Sequence, residues 1–251
     1  MRSPVLIGLC GRSGTGKGYV CKLFAELGIP SVDTDAVYRT MTSPCEVLSP
    51  CMEELIAAFG EVVRLPDNSL NRPALSAIVF GKGGSEALQT LNRITHAHIL
   101  RETQRLANEY VADGAEIVII DAPVLFESGF DAMCRFTVCV CASEETSVAR
   151  IVKRDGITEE AARRRLASQI PTEELVRRCD YHIENELHCD TLRAQTAEIA
   201  CAIAVAKATP ATPISLTSNR SRPTFKAAET SRKPSAVMES PKPRKMPESI
   251  L

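Results

Sequence analysis

The sequence predicts an α/β protein built on a parallel five-stranded sheet with helices on both faces. Three observations predict it. Short apolar runs alternate with helical periodicity over most of the 251 residues. Two of those runs, Ile117-Val118-Ile119-Ile120 and Phe136-Thr137-Val138-Cys139-Val140-Cys141, are nearly continuous, the pattern of strands covered on both faces. A glycine-rich turn separates the first apolar run from the first helix. The hydrophobic fraction of 44% supplies a core for one substantial domain, assigned to residues 1–206.

Val5-Leu6-Ile7-Gly8-Leu9-Cys10 is the first strand. Gly11-Arg12-Ser13-Gly14-Thr15-Gly16-Lys17 follows directly, with the spacing Gly-x-x-x-x-Gly-Lys of a P-loop. Such a turn aims backbone N–H groups at a phosphate, and the helix N-terminus behind it adds partial positive charge. The lysine reaches the outer phosphates as a mobile cation. Gly11 to Gly18 is therefore the candidate nucleotide-phosphate site. Gly18 departs from the pattern, because a Ser or Thr hydroxyl usually stands there and holds magnesium.

The helix runs on with Val20, Phe24 and Leu27 on one stripe, and Gly28 ends it. A short strand over 29–32 leads into Asp33-Thr34-Asp35, and 36–41 is helical. If the strand continues through the acids, alternation puts both carboxylates on one face at the carboxyl edge of the sheet. Asp35 is the candidate to accept the proton of a substrate hydroxyl. Asp33 either joins it or only caps the following helix.

Residues from about 44 to 110 form a helical insertion, with helices over 53–59, 74–80 and 88–110. The strand over 116–121 ends at Asp121, placed to hold magnesium directly or through water, or else to cap a helix. After the strand over 135–141, helix 143–154 has Ser143 as its cap and Glu144 and Glu145 in its first turn. Asp155-Gly156 breaks it. Arg150, Arg154, Arg163, Arg164 and Arg165 lie within sixteen residues, which suits a lid over about 154–171 that lowers cations onto phosphates and excludes water. Arg154 and Arg165 are its candidates, while a solvated face paired with Glu159 and Glu160 accounts better for Arg163 and Arg164. Tyr181-His182-Ile183 is the last strand, and helix 190–206 closes the domain.

From residue 207 the composition changes to Pro, Ser, Thr, Lys and Arg without periodicity, and 207–251 is expected to be a disordered basic tail. It holds nine Lys/Arg against three Asp/Glu, so the net charge of −1 conceals about −7 in the domain. That balance excludes a basic nucleic-acid platform. No signal peptide or membrane span is expected, since no run approaches roughly 20 apolar residues. The ten cysteines include no Cys-x-x-Cys pair, and Cys139 and Cys141 share a strand face as packed thiols, which points to the cytoplasm. His98, His182 and His188 have no motif around them. No Asn-Lys-x-Asp guanine signature occurs.

These motifs, in this order, resemble the dephospho-CoA kinase family from Val5 to about Ala206. Besides the P-loop, the residues that carry the resemblance are Gly28 to Asp35, Asn71-Arg72-Pro73-Ala74-Leu75 with Ile78-Val79-Phe80, and Leu91 to Ile99 around His96. Asp121 to Gly129, including Phe126-Glu127, Arg150 to Ile157, Arg165-Leu166-Ala167-Ser168-Gln169 and Cys179 to Asn185 complete it. The resemblance implies a P-loop three-layer sandwich that phosphorylates the 3′-hydroxyl of dephospho-CoA with ATP and Mg2+, the last step of CoA biosynthesis. It implies that Asp35, Lys17 and Arg154 are catalytic, that the insertion binds CoA, and that Asp33, Arg72, His96, Phe126, Glu127 and Arg165 bind substrate. Asn185 would lie near the adenine, and Asp121 and Asp35 would serve the metal.

Two positions depart from the family pattern. Ala97 replaces a proline and permits continuous helix. Gly18 leaves the metal to water, to a hydroxyl such as Ser13 or Thr15, or to Asp121 and Asp35, with weaker magnesium affinity as the expected effect. Rival readings are a kinase of the same fold acting on another nucleoside or nucleotide, and an ATP-binding regulator without turnover. Small molecules, not nucleic acid or membrane, are the expected partners, and the protein is expected to be a monomer or weak homo-oligomer.

Overall fold

The computed structural model describes residues 5–81, 84–186 and 189–208. His188 and the expected tail beyond 208 lie outside the described residues. Five strands, β1 (Val5–Cys10), β2 (Ser31–Asp33), β3 (Ile117–Asp121), β4 (Phe136–Cys141) and β5 (Tyr181–Glu184), form one sheet in the order β2-β3-β1-β4-β5. The pairings β1 with β3, β2 with β3, and β4 with β5 are all parallel. All six residues of β1 are buried, which is why the run has no polar alternation. The described residues cluster into two compact units, residues 5–10 with 17–135, and residues 11–16 with those from 136 on.

In the first unit, α1 (Lys17–Glu26) starts at the lysine of the glycine turn and buries Val20, Leu23 and Phe24. Leu27 lies beyond its end and is half exposed, so the expected apolar stripe stops at Phe24. β2 ends at Asp33, whose carboxylate accepts the N–H of Ala36 at 3.0 Å and caps α2 (Thr34–Met41). Asp35 therefore sits in the first turn of a helix rather than on a strand. The insertion contains α3 (Pro50–Phe59), α4 (Arg72–Val79) and α5 (Gly84–Ala112). Ser49 and Asn71 cap the first two, each followed by a proline in the first turn, where the missing N–H costs nothing. The long α5 packs against α2, α3 and α4 and runs unbroken through Ala97, as the alanine permits.

In the second unit, Asp180 ties the start of β5 to β4 by accepting from Thr137 N at 2.8 Å and Thr137 Oγ1 at 2.9 Å. Ser143 caps α6 (Glu144–Asp155), which ends at Gly156 in the left-handed conformation. Thr158 caps α7 (Glu159–Ala167). The basic segment is thus two helices, and Val148, Ile151, Ala162 and Leu166 give them an apolar core of their own. A short helix, α8 (Thr172–Arg178), was not foreseen, because a seven-residue element with Leu175 as its buried residue leaves no readable period. The last helix, α9 (Cys189–Ala208), buries Leu192, Thr196, Ala200 and Ile203 and includes Lys207 and Ala208, two residues past the expected boundary.

Candidate active site

The glycine loop belongs to the second unit, and its conformation follows from what surrounds it. Gly14 and Gly16 have φ of 79° and 87°, a region side chains avoid. A Cβ on Gly14 would also overlap the Ser147 carbonyl, and one on Gly16 would overlap Asn185 Nδ2. Thr15 is buried and its hydroxyl donates to Arg12 O at 2.9 Å. Gln169 brackets Ser13, accepting from its N–H at 2.9 Å and donating to its hydroxyl at 3.0 Å. Both hydroxyls considered as substitutes for a side chain at Gly18 thus already make one hydrogen bond each within the chain. Arg12 donates to Leu166 O at 2.6 Å, so its guanidinium ties the loop to the end of α7.

Asn185 is buried, and its Nδ2 donates to Thr15 O at 2.7 Å, so one of its amide donors is spent on the loop. Arg150 reaches the same place: Nη2 donates to Asn185 O at 2.9 Å, and Nη1 lies 3.4 Å from Gly14 O. The sequence placed Arg150 among five arginines without singling it out. Its position four residues before Arg154 on an amphipathic helix, at the head of the segment from Arg150 to Ile157 that resembles the family, was the available signal.

Arg154 and Arg165 converge on a single carboxylate. Arg154 donates through Nε at 2.6 Å and Nη2 at 3.0 Å to Asp155, and Arg165 Nη1 pairs with the same group. The Arg154 hydrogen bond, helped by Arg165, pulls the Asp155 carboxyl down to about 2. Arg163 pairs with Glu159 and Glu144, and Arg164 with Glu160, the solvated face expected for those two.

The first unit gathers the acids. Asp33 and Asp121 are register partners at the ends of β2 and β3, and Lys17 is close enough to act electrostatically on both Asp35 and Asp121. Burial, and then the charge of Asp33, raises the Asp35 carboxyl above its ordinary value. Asp121 is raised chiefly by burial, against the pull of Lys17. Its Oδ2 accepts from Cys21 Sγ at 3.6 Å, a neighbour the sequence did not mark. Its Oδ1 is buried without a hydrogen-bond partner, and turns rather than a helix follow it, so Asp121 is not a helix cap.

An unpaired buried carboxylate oxygen is costly unless something outside the chain completes it, and a hard divalent cation fits that demand. Among the described residues, no three Asp, Glu, His or Cys groups converge to hold an ion by themselves. Such an ion would take the rest of its shell from phosphate and water, as magnesium commonly does. A Cβ on Gly18 would meet nothing within 4 Å, so a serine there is sterically free.

The remaining candidates lie on the insertion and after β3. Arg72, at the start of α4, stacks over the Tyr38 ring at 5.3 Å and donates to Thr42 Oγ1 at 3.1 Å. His96 meets the edge of Phe130 at 6.0 Å between centroids, and burial lowers its pKa, which keeps the ring neutral. Phe126 is half-buried and Glu127 exposed in the turns after β3.

A family model described as dephospho-CoA kinase matches residues 5–190 of the chain. The chain belongs to the dephospho-CoA kinase family. It is 39% identical to the dephospho-CoA kinase of Corynebacterium efficiens over 75% of this chain and 92% of that one. The dephospho-CoA kinase of Bacillus cereus is 35% identical over 72% of this chain and 88% of its own. A crystal structure from Thermus thermophilus aligns with TM-score 0.65 and 28% identity, covering 83% of this chain and 100% of that one. The dephospho-CoA kinase of Campylobacter jejuni, at TM-score 0.55 and 22% identity, shares the fold. The motifs quoted for this family all fall within the matched span, and all but the first two residues of α9 lie beyond it.

Proposed function

We propose that the protein transfers the γ-phosphoryl group of ATP to the 3′-hydroxyl of dephospho-CoA, with Asp35 as the base that takes the hydroxyl proton. The family match over 5–190 carries the kinase reading. For the residue roles, the supporting observation is the convergence of Asp33, Asp35 and Asp121 with Lys17 at the carboxyl ends of β2 and β3. Phosphoryl transfer asks mainly for positioning and charge neutralisation. The amides of 11–16 and the Lys17 ammonium hold the triphosphate, and Arg154 and Arg165 exchange Asp155 for phosphate oxygens when the nucleotide is bound. The raised Asp35 carboxyl is a better proton acceptor than an ordinary aspartate, because a more basic carboxylate draws the hydroxyl proton harder.

Mg2+ is the proposed metal, with Asp121 as its first protein partner and Asp35 as its second. When bound it supplies charge neutralisation between the phosphate groups. Arg72, His96, Phe126 and Glu127 are proposed on the acceptor side. The ten cysteines are all free thiols, which supports a cytoplasmic setting, and among the described residues no helix is long and apolar enough to cross a membrane.

ADP formation measured with and without dephospho-CoA tests the reading. Turnover dependent on dephospho-CoA is expected. Turnover with another nucleoside or nucleotide alone would transfer the protein to a different acceptor class, and tight ATP binding with no turnover on any acceptor would make it a regulator.

A further inference from the structure

The carbonyl side of the glycine loop is held by two side chains that no step of the transfer requires. Asn185 Nδ2 donates to Thr15 O at 2.7 Å. Arg150 Nη1 approaches Gly14 O at 3.4 Å and Thr15 O at 3.5 Å. Arg150 also fixes its partner, since its Nη2 donates to Asn185 O at 2.9 Å, and Asn185 N donates to Cys141 O at 2.8 Å. The brace is therefore anchored at the end of β4. Gly16 is matched to it, because any Cβ there would overlap the Asn185 amide.

A peptide group is planar and trans, so its C=O and N–H point in opposite directions. Holding the Thr15 carbonyl on one side turns the Gly16 N–H to the other. We propose that Arg150 and Asn185 are positioning residues of the phosphate loop, jointly fixing the Thr15–Gly16 peptide so that its N–H faces a bound phosphate. The inference rests on the nucleotide-binding reading of that loop. It assigns Asn185 to the triphosphate end through the loop, in place of direct contact with the adenine. Arg150 contributes a charge-assisted bond, stronger than its neutral counterpart, and places a cation behind the amides.

Inorganic tripolyphosphate, which has no base, separates this role from adenine contact. Binding of tripolyphosphate and of ATP to the full chain is measured by calorimetry for wild type, Arg150→Lys, Asn185→Ala and the double variant. Lysine keeps the charge but lacks the planar fork that spans Asn185 O and the loop carbonyls. Each single variant is expected to weaken both ligands by the same factor, about tenfold, as for loss of one hydrogen bond from the brace. The double variant should lose little more than the worse single one, because the two side chains act as a unit. In turnover, KM for ATP should rise while kcat changes less.

A loss for ATP with tripolyphosphate unaffected would overturn the proposal in favour of base contact. Unchanged binding of both, or losses that multiply in the double variant, would overturn it as well. Wild type that binds neither ligand would instead sink the nucleotide-loop reading itself. Asn185 is buried and its alanine variant is the more exposed to misfolding; Arg150→Lys, at a half-buried position, then decides the question alone.

Discussion

The glycine loop and the acid cluster are both polar, yet they are constructed in opposite ways. Around Gly14 to Gly16 the polar groups are spent on one another: Asn185 and Arg150 on carbonyls, the Thr15 hydroxyl on Arg12, Gln169 on Ser13. Around Asp121 a carboxylate oxygen is buried without a partner, and Asp35 and Asp121 carry carboxyls that burial pushes up. A satisfied network rigidifies, which suits the phosphate-holding role proposed for the loop. The unpartnered oxygen of Asp121 keeps its capacity for something outside the chain, and perturbed carboxylates such as these two concentrate where chemistry occurs.

The contrast breaks most visibly at Asp35. Asp35→Asn should cut kcat by about 10²–10⁴-fold, the range of a lost general base, while ATP affinity measured by calorimetry stays within about twofold. The same variant should be more thermostable without ligand. A carboxyl raised above its unfolded value contributes stability that is fully present below the unfolded range and is lost as pH rises through the raised value. At neutral pH the ionised acid therefore destabilises the fold, and asparagine removes that cost. A variant that loses turnover but melts at the wild-type temperature would argue that Asp35 is not held at an electrostatic disadvantage.

The second unit should show the opposite sign at Asp155, which pins two arginines. Asp155→Asn is expected to lower kcat/KM by about tenfold, as for a perturbed charge-assisted pair. Its effect on stability also depends on pH. The folded carboxyl is drawn to about 2, so its contribution is present above the ordinary 3.8 and is lost as pH falls between those values. Wild type should lose its advantage over the variant across that window in acid unfolding. Equal stability at all pH values would show that the arginines gain nothing from the pair.

A smaller effect sharpens the electrostatics of the acids. Asp33→Asn keeps the helix cap, since asparagine caps as well as aspartate, but removes the charge that helps raise Asp35. The acidic limb of kcat/KM should therefore move to lower pH, and an unmoved limb would show that burial alone sets the value. The smallest change is expected from Gly18→Ser. The space is open, and the added hydroxyl should lower the magnesium needed for half-maximal activity by a few fold, with little change in ATP affinity. An unchanged magnesium requirement would mark the position as idle.

The strands, the glycine turn, the caps at Asp33 and Ser143 and the surface pairing of Arg163 and Arg164 were legible because each depends on neighbours within a few residues. Period-two and period-3.6 burial, glycine spacing and capping chemistry are local rules. Errors arose where a local rule met two acceptable continuations. Asp35 could extend a strand or open a helix, and the cap at Asp33 chose the helix. Leu27 fitted the apolar stripe of α1, but the helix ended at Glu26.

By itself, the order of residues determined that this chain would present a glycine-rich turn with P-loop spacing after a buried strand and place acids at two strand ends, because spacing and alternation act along the chain. Only the tertiary structure decided that Asn185 and Arg150 spend their donors on the loop, that Asp155 gathers Arg154 with Arg165, and that Cys21 faces Asp121. Partners separated by up to 170 residues are chosen by packing and by the need to satisfy buried polar groups, and no local pattern encodes that choice.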